Sequence, residues 1–415
     1  MMTSSSFDIK EHVIPCQHIR GYRHASKDQT VALQLAVKQY TPKRVLPDDR
    51  PAVTVIGLHA NGIPKEAYEP LWEDFAAQFD GNIRNIWIAD CAHQGASGIL
   101  NEGHLGDDPN WFDHSRDLLG MVNHFRNEIQ APVIGVAHSM GCAQLVQLSQ
   151  IHPTLFQSLV LIEPVIQETI PPGPNAGYLT SYRPDFWQSK EEAHAYFDKN
   201  KFYKSLDPRC FERYLQYGLR STPTALFPTA PPGSVTLSTT KHQEAWSFIR
   251  SIFPPRSSGG EVDMQEQLLT SDYGGVHSKY VFHRPEAVLA FRALSTLQPA
   301  VYWIFAEQSY INPPKSRNEK VRRTGAEIRG RGGVTSTVVA KSNHNLPLTQ
   351  VTETASLVAS HIVQQLKEHK EQQEIWDRID TQKSDRDQQV LSSHWMKAVR
   401  NKSDTERPMI AKNKL

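Results

Sequence analysis

Pro132-Val133-Ile134-Gly135-Val136-Ala137-His138-Ser139-Met140-Gly141 is the stretch on which the reading of this chain turns. An apolar run leads into Ala137-His138-Ser139-Met140-Gly141, and a helical pattern follows from Cys142 to Ile151. A sharp turn between a buried strand and a helix lifts the serine hydroxyl above the sheet edge. The helix start aims its unpaired N–H groups and positive dipole end at the same point, where developing negative charge is stabilised. Ser139 is therefore the candidate nucleophile. Small residues two places to either side let backbone approach neighbouring elements; Gly141 meets that need, whereas Ala137 adds one methyl. The pentapeptide alone equally fits an ordinary strand-to-helix turn with a capping serine, so its surroundings must decide.

Around this turn the chain alternates buried-type runs with helical segments. The runs are Ala52 to Leu58, Ile83 to Ala89, Pro132 to Ala137, Leu159 to Ile162, Val301 to Phe305 and Val334 to Ala340. Two earlier segments, Phe7 to Tyr22 and Val31 to Tyr40, alternate apolar and polar residues and read as an antiparallel pair. Together they predict an α/β fold: a mostly parallel eight-stranded sheet with helices on both faces.

One interval breaks the rhythm. Between Ile162 and Val301 lie well over a hundred residues, proline-rich around Thr222 to Pro232, with helical patterns near Glu191 to Phe197, Arg209 to Tyr217 and Glu286 to Leu297. Inserted there, they are expected to cap the carboxyl ends of the strands, where open α/β sheets bind ligands. Tyr178, Tyr182, Phe186 and Trp187 are candidates to line an apolar pocket, with packing inside the cap as the simpler account of each. The expected organisation is a core over 1–164, a cap over 165–297, a second core segment over 298–366 and a charged, glutamine-rich extension over 367–415.

The chain's 415 residues can build a large core, in one elaborated domain or two. Its 45 basic and 44 acidic residues leave a net charge of +1, and no basic stripe interleaves with aromatics, which argues against a nucleic-acid partner. The amino terminus lacks a secretory pattern, and no apolar run approaches a bilayer's thickness, so a soluble intracellular protein is expected. Cys16, Cys91, Cys142 and Cys210 are far apart and read as reduced, mostly buried thiols. The final Asn413-Lys414-Leu415 differs from the peroxisomal address Ser-Lys-Leu at one position.

A serine hydroxyl needs a base, and that base needs a group to hold it. Of 18 histidines, His344 alone sits in a loop directly after the last expected strand, in Ser342-Asn343-His344-Asn345-Leu346-Pro347. His361 belongs to the following helical pattern, and His138, beside Ser139, is expected to point away. Two acids compete. Glu163 ends the run Leu159 to Ile162, where a carboxylate needs a partner to offset its desolvation, and Glu307 follows Val301 to Phe305. Glu163 is preferred. Oxyanion donors are expected from the N–H of Met140 and from His59-Ala60-Asn61-Gly62, with Asn61 chosen. Asp90, at another strand end, reads as structural. Neither a metal-binding nor a phosphate-cradling motif stands out, so no metal or nucleotide cofactor is expected and water is the second substrate.

These residues resemble the α/β-hydrolase superfamily. Val37-Lys38-Gln39-Tyr40-Thr41-Pro42-Lys43-Arg44, Pro64-Lys65-Glu66-Ala67-Tyr68-Glu69-Pro70-Leu71-Trp72, Asp113-His114-Ser115-Arg116-Asp117-Leu118-Leu119 and Asp207-Pro208-Arg209-Cys210 narrow the resemblance. They are similar to a fungal peroxisomal branch of mycophenolic acid acyl-CoA hydrolase, peroxisomal lipases and hydrolases of host-selective toxin biosynthesis. The family order is serine, acid, histidine. Many members read Gly-x-x-Asp after the strand Val301 to Phe305, where this chain places Ser309; in the fungal branch the acid follows the strand after the nucleophile helix, which favours Glu163. The thioesterase there carries Asp where this chain has Glu, and members usually read His-Gly where this chain has His59-Ala60.

The resemblance implies hydrolysis of a carboxylic thioester, an acyl-CoA of a secondary-metabolite or toxin intermediate, through an acyl-enzyme. Ser139 attacks, His344 shuttles the proton, Glu163 holds the imidazole, and the Met140 and Asn61 N–H groups bind the oxyanion. It also implies a peroxisomal setting, with the terminal tripeptide read by an import receptor. A lipase or carboxylesterase is the alternative enzyme, and a hydrolase-like ligand-binding protein the non-enzymatic one. The oligomeric state stays open, a homodimer included.

Overall fold

A computed structural model describes residues 6–44, 47, 52–169, 173–250, 284–328, 333–382 and 384–401. The main sheet has eight strands: β1 (Phe7–Pro15), β2 (Gln34–Pro42), β3 (Ala52–Leu58), β4 (Asn82–Ala89), β5 (Val133–His138), β6 (Ser158–Ile162), β10 (Ala300–Ala306) and β11 (Val334–Val339). Their order is β1-β2-β4-β3-β5-β6-β10-β11. The β1–β2 and β2–β4 pairs are antiparallel and the rest parallel. The eight-stranded, mostly parallel architecture expected from the alternating runs is the one formed.

The middle strands β5, β6 and β10 are buried along their whole length, as their continuous apolar runs require when helices cover both faces. Two expected elements differ. β11 sits at the sheet edge with Thr335, Ser336 and Val338 exposed, so Val334 to Ala340 is only partly buried. The first strand stops at Pro15 rather than Tyr22, because the chain then turns aside for Arg20 to grip Asp117 with two hydrogen bonds of 2.9 Å.

Helices α1 (Glu69–Gln78), α2 (Gly95–Leu100), α3 (Trp111–His124) and α4 (Met140–Ile151) belong to the first half. α3 and α4 pack together over β5 and β6 through Leu118, Met121, Leu145 and Leu148. The tight start of α4 depends on Gly141. A Cβ there would lie 2.8 Å from Leu58 O and 2.9 Å from His59 O, so only glycine lets the helix rise this close to β3. Ala137 is buried in register between Leu58 and Leu161, and its methyl is accommodated.

Between β6 and β10 come α5 (Ala176–Tyr182), α6 (Lys190–Lys199), α7 (Lys201–Lys204), α8 (Pro208–Tyr217) and α9 (Lys241–Phe248). A small antiparallel sheet of β7 (Phe186–Trp187), β9 (Val235–Leu237) and β8 (Leu219–Ser221) lies among them. Phe197 forms the centre of an aromatic cluster with Trp187, Tyr196, Tyr203 and Tyr214. The interval ends in α10 (Pro285–Ala293), which packs on α4 through Ala287, Ala290 and Phe291 and so joins the core layer. α11 (Pro314–Arg323) then connects β10 to β11.

Residues from 366 onward form a separate unit, helical through Asp380 and again over Ser393–Arg400. Asn413-Lys414-Leu415 lies outside the described residues. Among the described residues, no helix is long and apolar enough to cross a membrane.

Candidate active site

Ser139 occupies the turn from β5 into α4 with φ of 56°, and Glu163 leaves β6 with φ of 47°. Left-handed backbone at residues other than glycine costs on the order of 1–3 kcal/mol each and is kept only where the surroundings enforce it. The enforcement here is mutual. Ser139 N–H donates to Ile162 O at 3.0 Å, and Val165 N–H donates to Ser139 O at 3.1 Å, tying the two strand ends together.

His344 arrives on the loop after β11. Its Nε2 lies 2.9 Å from Ser139 Oγ, and its Nδ1 lies 3.2 Å from Glu163 Oε2. The structure thus brings Ser139, His344 and Glu163, 205 and 181 positions apart in the two pairs, into one hydrogen-bonded line.

The Glu163 carboxylate is fully buried. Oε1 accepts from Ala306 N–H at 2.7 Å, and Oε2 accepts from Ser309 Oγ at 2.6 Å and from Asn312 Nδ2 at 3.3 Å. Burial opposes its ionisation, but the hydrogen bond and charge of His344, the Ala306 N–H and the Ser309 hydroxyl outweigh it and hold the carboxyl below its usual range. Glu307, the competing acid, is exposed, and among the described residues its Oε2 accepts a single hydrogen bond, from the Lys341 backbone N–H at 2.8 Å. His361 hydrogen-bonds Ser158 at the opposite end of β6.

His138 makes no hydrogen bond to the serine hydroxyl, yet it belongs to the site. Its Nε2 lies 2.8 Å from the His344 carbonyl, which can only accept, so that nitrogen carries the proton. Nδ1 then accepts from Tyr68 Oη at 2.8 Å, and the same oxygen accepts Ala60 N–H at 2.9 Å. Burial pushes His138 down to about 3 and keeps this chain neutral.

The loop after β3 is held from two sides. Gln94 donates through Nε2 to Asn61 Oδ1 at 2.7 Å and accepts Gly62 N–H through Oε1 at 2.8 Å, while Asn61 Nδ2 donates to Glu244 O at 2.9 Å. With the Asn61 side chain so engaged, its backbone N–H is the group left without an acceptor among the described residues, as is that of Met140. Gly62, with φ of 74°, carries the left-handed turn of this loop; Ala60 does not, which explains why alanine suffices there.

Glu244 on α9 also accepts from Thr180 at 3.1 Å and pairs with Arg183 at 2.5 Å, so the residue that receives the Asn61 amide is itself tied to α5 and the residue after it. A cavity of about 970 Å³ opens beyond His93, lined by Arg23, Lys27, Arg220, His242 and Trp246 among others. The four aromatics considered for a pocket do not line it. Trp187 packs against Tyr196 and Phe197, Phe186 against Phe227, and Tyr178 and Tyr182 are exposed and lean on each other with their rings tilted at 47°.

Asp90 accepts from Lys65 Nζ at 2.6 Å and from Ala96 N–H at 3.0 Å, bracing the start of α2. His59, Cys91 and His114 bring potential metal-ligand atoms within 4.8 Å of one another. His59 is already committed on both nitrogens, to Ala60 O at 2.8 Å and Cys91 N–H at 3.0 Å, and would have to release one to bind an ion.

Ser309, Asn312, Gln94 and Tyr68 were missed as site residues in the sequence. Only Ser309 left a signal, as the serine standing where the family's acid is usual.

The sheet order, the strained serine turn and the histidine beside it define a hydrolase of the α/β class. The chain belongs to the alpha/beta hydrolase family, whose sequence profile matches residues 55–357. It is 34% identical over 431 residues to the type I acyl-CoA thioesterase mpaH of Penicillium brevicompactum, covering 96% of each chain. It is 33% identical over 145 residues to the peroxisomal membrane protein LPX1 of Saccharomyces cerevisiae, covering 33% of this chain and 38% of that one. The crystal structure of the peroxisomal alpha-beta-hydrolase Lpx1 from the same yeast superposes with a TM-score of 0.67 at 17% identity, over 88% of this chain and 90% of that one.

Proposed function

We propose that this enzyme hydrolyses an acyl-CoA thioester through a covalent acyl-serine. The observation that carries the reading is the unbroken line Ser139 Oγ, His344, Glu163, with steps of 2.9 and 3.2 Å. The near full-length similarity to a type I acyl-CoA thioesterase supports the choice of thioester.

In this reading His344 Nε2 takes the Ser139 proton as Oγ adds to the thioester carbonyl. The new oxyanion lies between the Met140 and Asn61 N–H groups, each such donor being worth about 3 kcal/mol in the transition state. As the C–S bond breaks, His344 returns the proton to sulfur and CoA leaves as the thiol. Water then attacks the acyl-serine, again giving its proton to His344; the C–O bond breaks, the acid departs, and Ser139 regains its proton. Glu163 stays ionised throughout, fixing the ring and stabilising the imidazolium.

Further parts of the reading are proposals on the same footing: a cap over 165–297 set between core segments 1–164 and 298–366, followed by an extension, and a secondary-metabolite acyl group as cargo. Peroxisomal residence is supported by the peroxisomal relatives, with Asn413-Lys414-Leu415 as the receptor-read address. A fluorescent fusion with and without those three residues tests the address.

The deciding assay follows free-thiol release from a panel of acyl-CoA thioesters, with acyl glycerols and simple esters as competing arms. Thiol release with trapping of the acyl group on Ser139, both absent in S139A, is the expected result. Preference for acyl glycerols would replace the thioesterase reading with a lipase, and activity persisting in S139A would remove the nucleophile.

A further inference from the structure

Behind the acid lies a charge that the chemistry above does not use. Lys320 sits on α11 with its side chain fully buried. Its Nζ donates to Asn312 Oδ1 at 2.6 Å and to Ser316 Oγ at 2.7 Å, and no carboxylate among the described residues lies within ion-pair distance. An ammonium removed from water with neutral acceptors alone is costly, so its place calls for a reason. The carboxylate it faces is Glu163, across Asn312, whose other amide atom donates to Glu163 Oε2. Asn312 therefore stands between a buried cation and a buried anion, with its amide dipole aligned to both.

A purely structural role for the pair is already filled. Arg317, one turn earlier on the same helix, donates to the carbonyls of Asn312, Ala306 and Glu307 at 2.5, 2.7 and 3.0 Å and so ties down the loop after β10. Lys320 touches none of those carbonyls. Its side-chain hydrogen bond off its own helix goes to Asn312, which with Ser309 and His344 is one of the three side chains that bond Glu163.

We propose that Lys320 is a positioning residue for the Ser139–His344–Glu163 line, acting through Asn312 to keep Glu163 ionised and aimed at His344. The proposal rests on the acyl-serine reading for its meaning in turnover. Removing the cation makes Glu163 easier to protonate, and each protonated Glu163 releases His344. Burial pushes the Lys320 ammonium down to about 8, with Glu163 pulling the other way, so the cation is present wherever the acid side of the profile is measured. The other titratable or charged groups around the pair are His344, His138, Tyr310, Cys142, Arg317 and Glu319, and all remain in place in the test.

K320Q keeps a donor toward Asn312 and removes the charge; K320R keeps the charge. The acidic limb of kcat/KM is expected to move up by roughly half to one pH unit in K320Q and to stay in place in K320R. The ¹³C-carboxyl resonance of Glu163 should titrate higher in K320Q by the same margin, a readout that needs no turnover. K320Q with lowered stability but an unmoved limb and carboxyl midpoint would reduce Lys320 to packing and overturn the proposal. Should S139A keep its activity, the acyl-serine reading falls while the carboxyl titration still judges this one. If K320Q does not fold, the wild-type Glu163 resonance decides: a second inflection near 8 is expected as Lys320 loses its proton, and a flat trace there overturns it.

Discussion

Ser309 donates its hydroxyl to Glu163 Oε2 at 2.6 Å from the turn after β10. Ser309 stands where an acid is expected after β10, and it supplies a hydrogen-bond donor to Glu163, the candidate acid at the end of the neighbouring strand β6. The expected consequence is that the two positions can exchange roles. E163Q should lower kcat/KM by roughly 10³–10⁴-fold, the scale on which a wrongly held imidazole fails. E163Q/S309D should recover at least about tenfold of that loss, because a carboxylate at 309 reaches the same corner of the imidazole, whereas E307Q alone should resemble wild type. Steady-state kinetics on the four proteins checks this, and no recovery in the double variant counts against the exchange.

The buried relay Ala60–Tyr68–His138–His344 couples the candidate oxyanion loop to the carbonyl of His344, the candidate base. Y68F leaves the Ala60 N–H and His138 Nδ1 unpaired at a cost of roughly 1–3 kcal/mol. Turnover should fall about tenfold with KM little changed, since the relay orients reacting groups and does not touch the acyl chain. Chemical denaturation and kcat against KM measure the two effects separately.

Acid should weaken the fold early. His138 and His93 are both pushed down from 6.5 to about 3 by burial, so the unfolded chain takes up these protons first. Stability contributed by each is complete above 6.5, where neither state is protonated, and falls as pH drops toward 3, by about 1.4 kcal/mol per pH unit for each such histidine. H138Q removes one of these sites while retaining a donor for the His344 carbonyl. Urea midpoints between pH 7 and 4 should therefore decline less steeply in H138Q than in wild type.

G141A tests the strand-to-helix turn directly. The new methyl would press on Leu58 O at 2.8 Å, destabilising the protein by roughly 1–3 kcal/mol and displacing the Met140 N–H. A137G, on the other flank, should lose little activity. Equal losses from both substitutions would contradict the asymmetry that the packing shows.

The parallel strands were readable because strands buried on both faces must be apolar throughout, and β3 matches its expected run from Ala52 to Leu58 at both ends. The exposure of β11 is not legible in Val334 to Ala340, because an edge position is a property of the sheet order and not of those residues themselves. Ser139, Glu163 and His344 could be singled out because each ends a strand or follows one, and strand ends converge on one rim. Lys320 gave no such sign: it lies in Pro314-Lys315-Ser316-Arg317-Asn318-Glu319-Lys320, where every other charged residue looks equally solvated. Gln94 and Tyr68 were hidden for a related reason, since their partners Asn61 and His138 come from other loops and strands.

The two backbone bonds that join the ends of β5 and β6 make the serine and the glutamate a single rigid block, so breathing of the sheet carries them together. The imidazole alone hangs from a separate loop, tethered by the His138 ring. Heat or mild denaturant should therefore detach that one ring before the scaffold melts, and activity should vanish at a lower temperature than secondary structure.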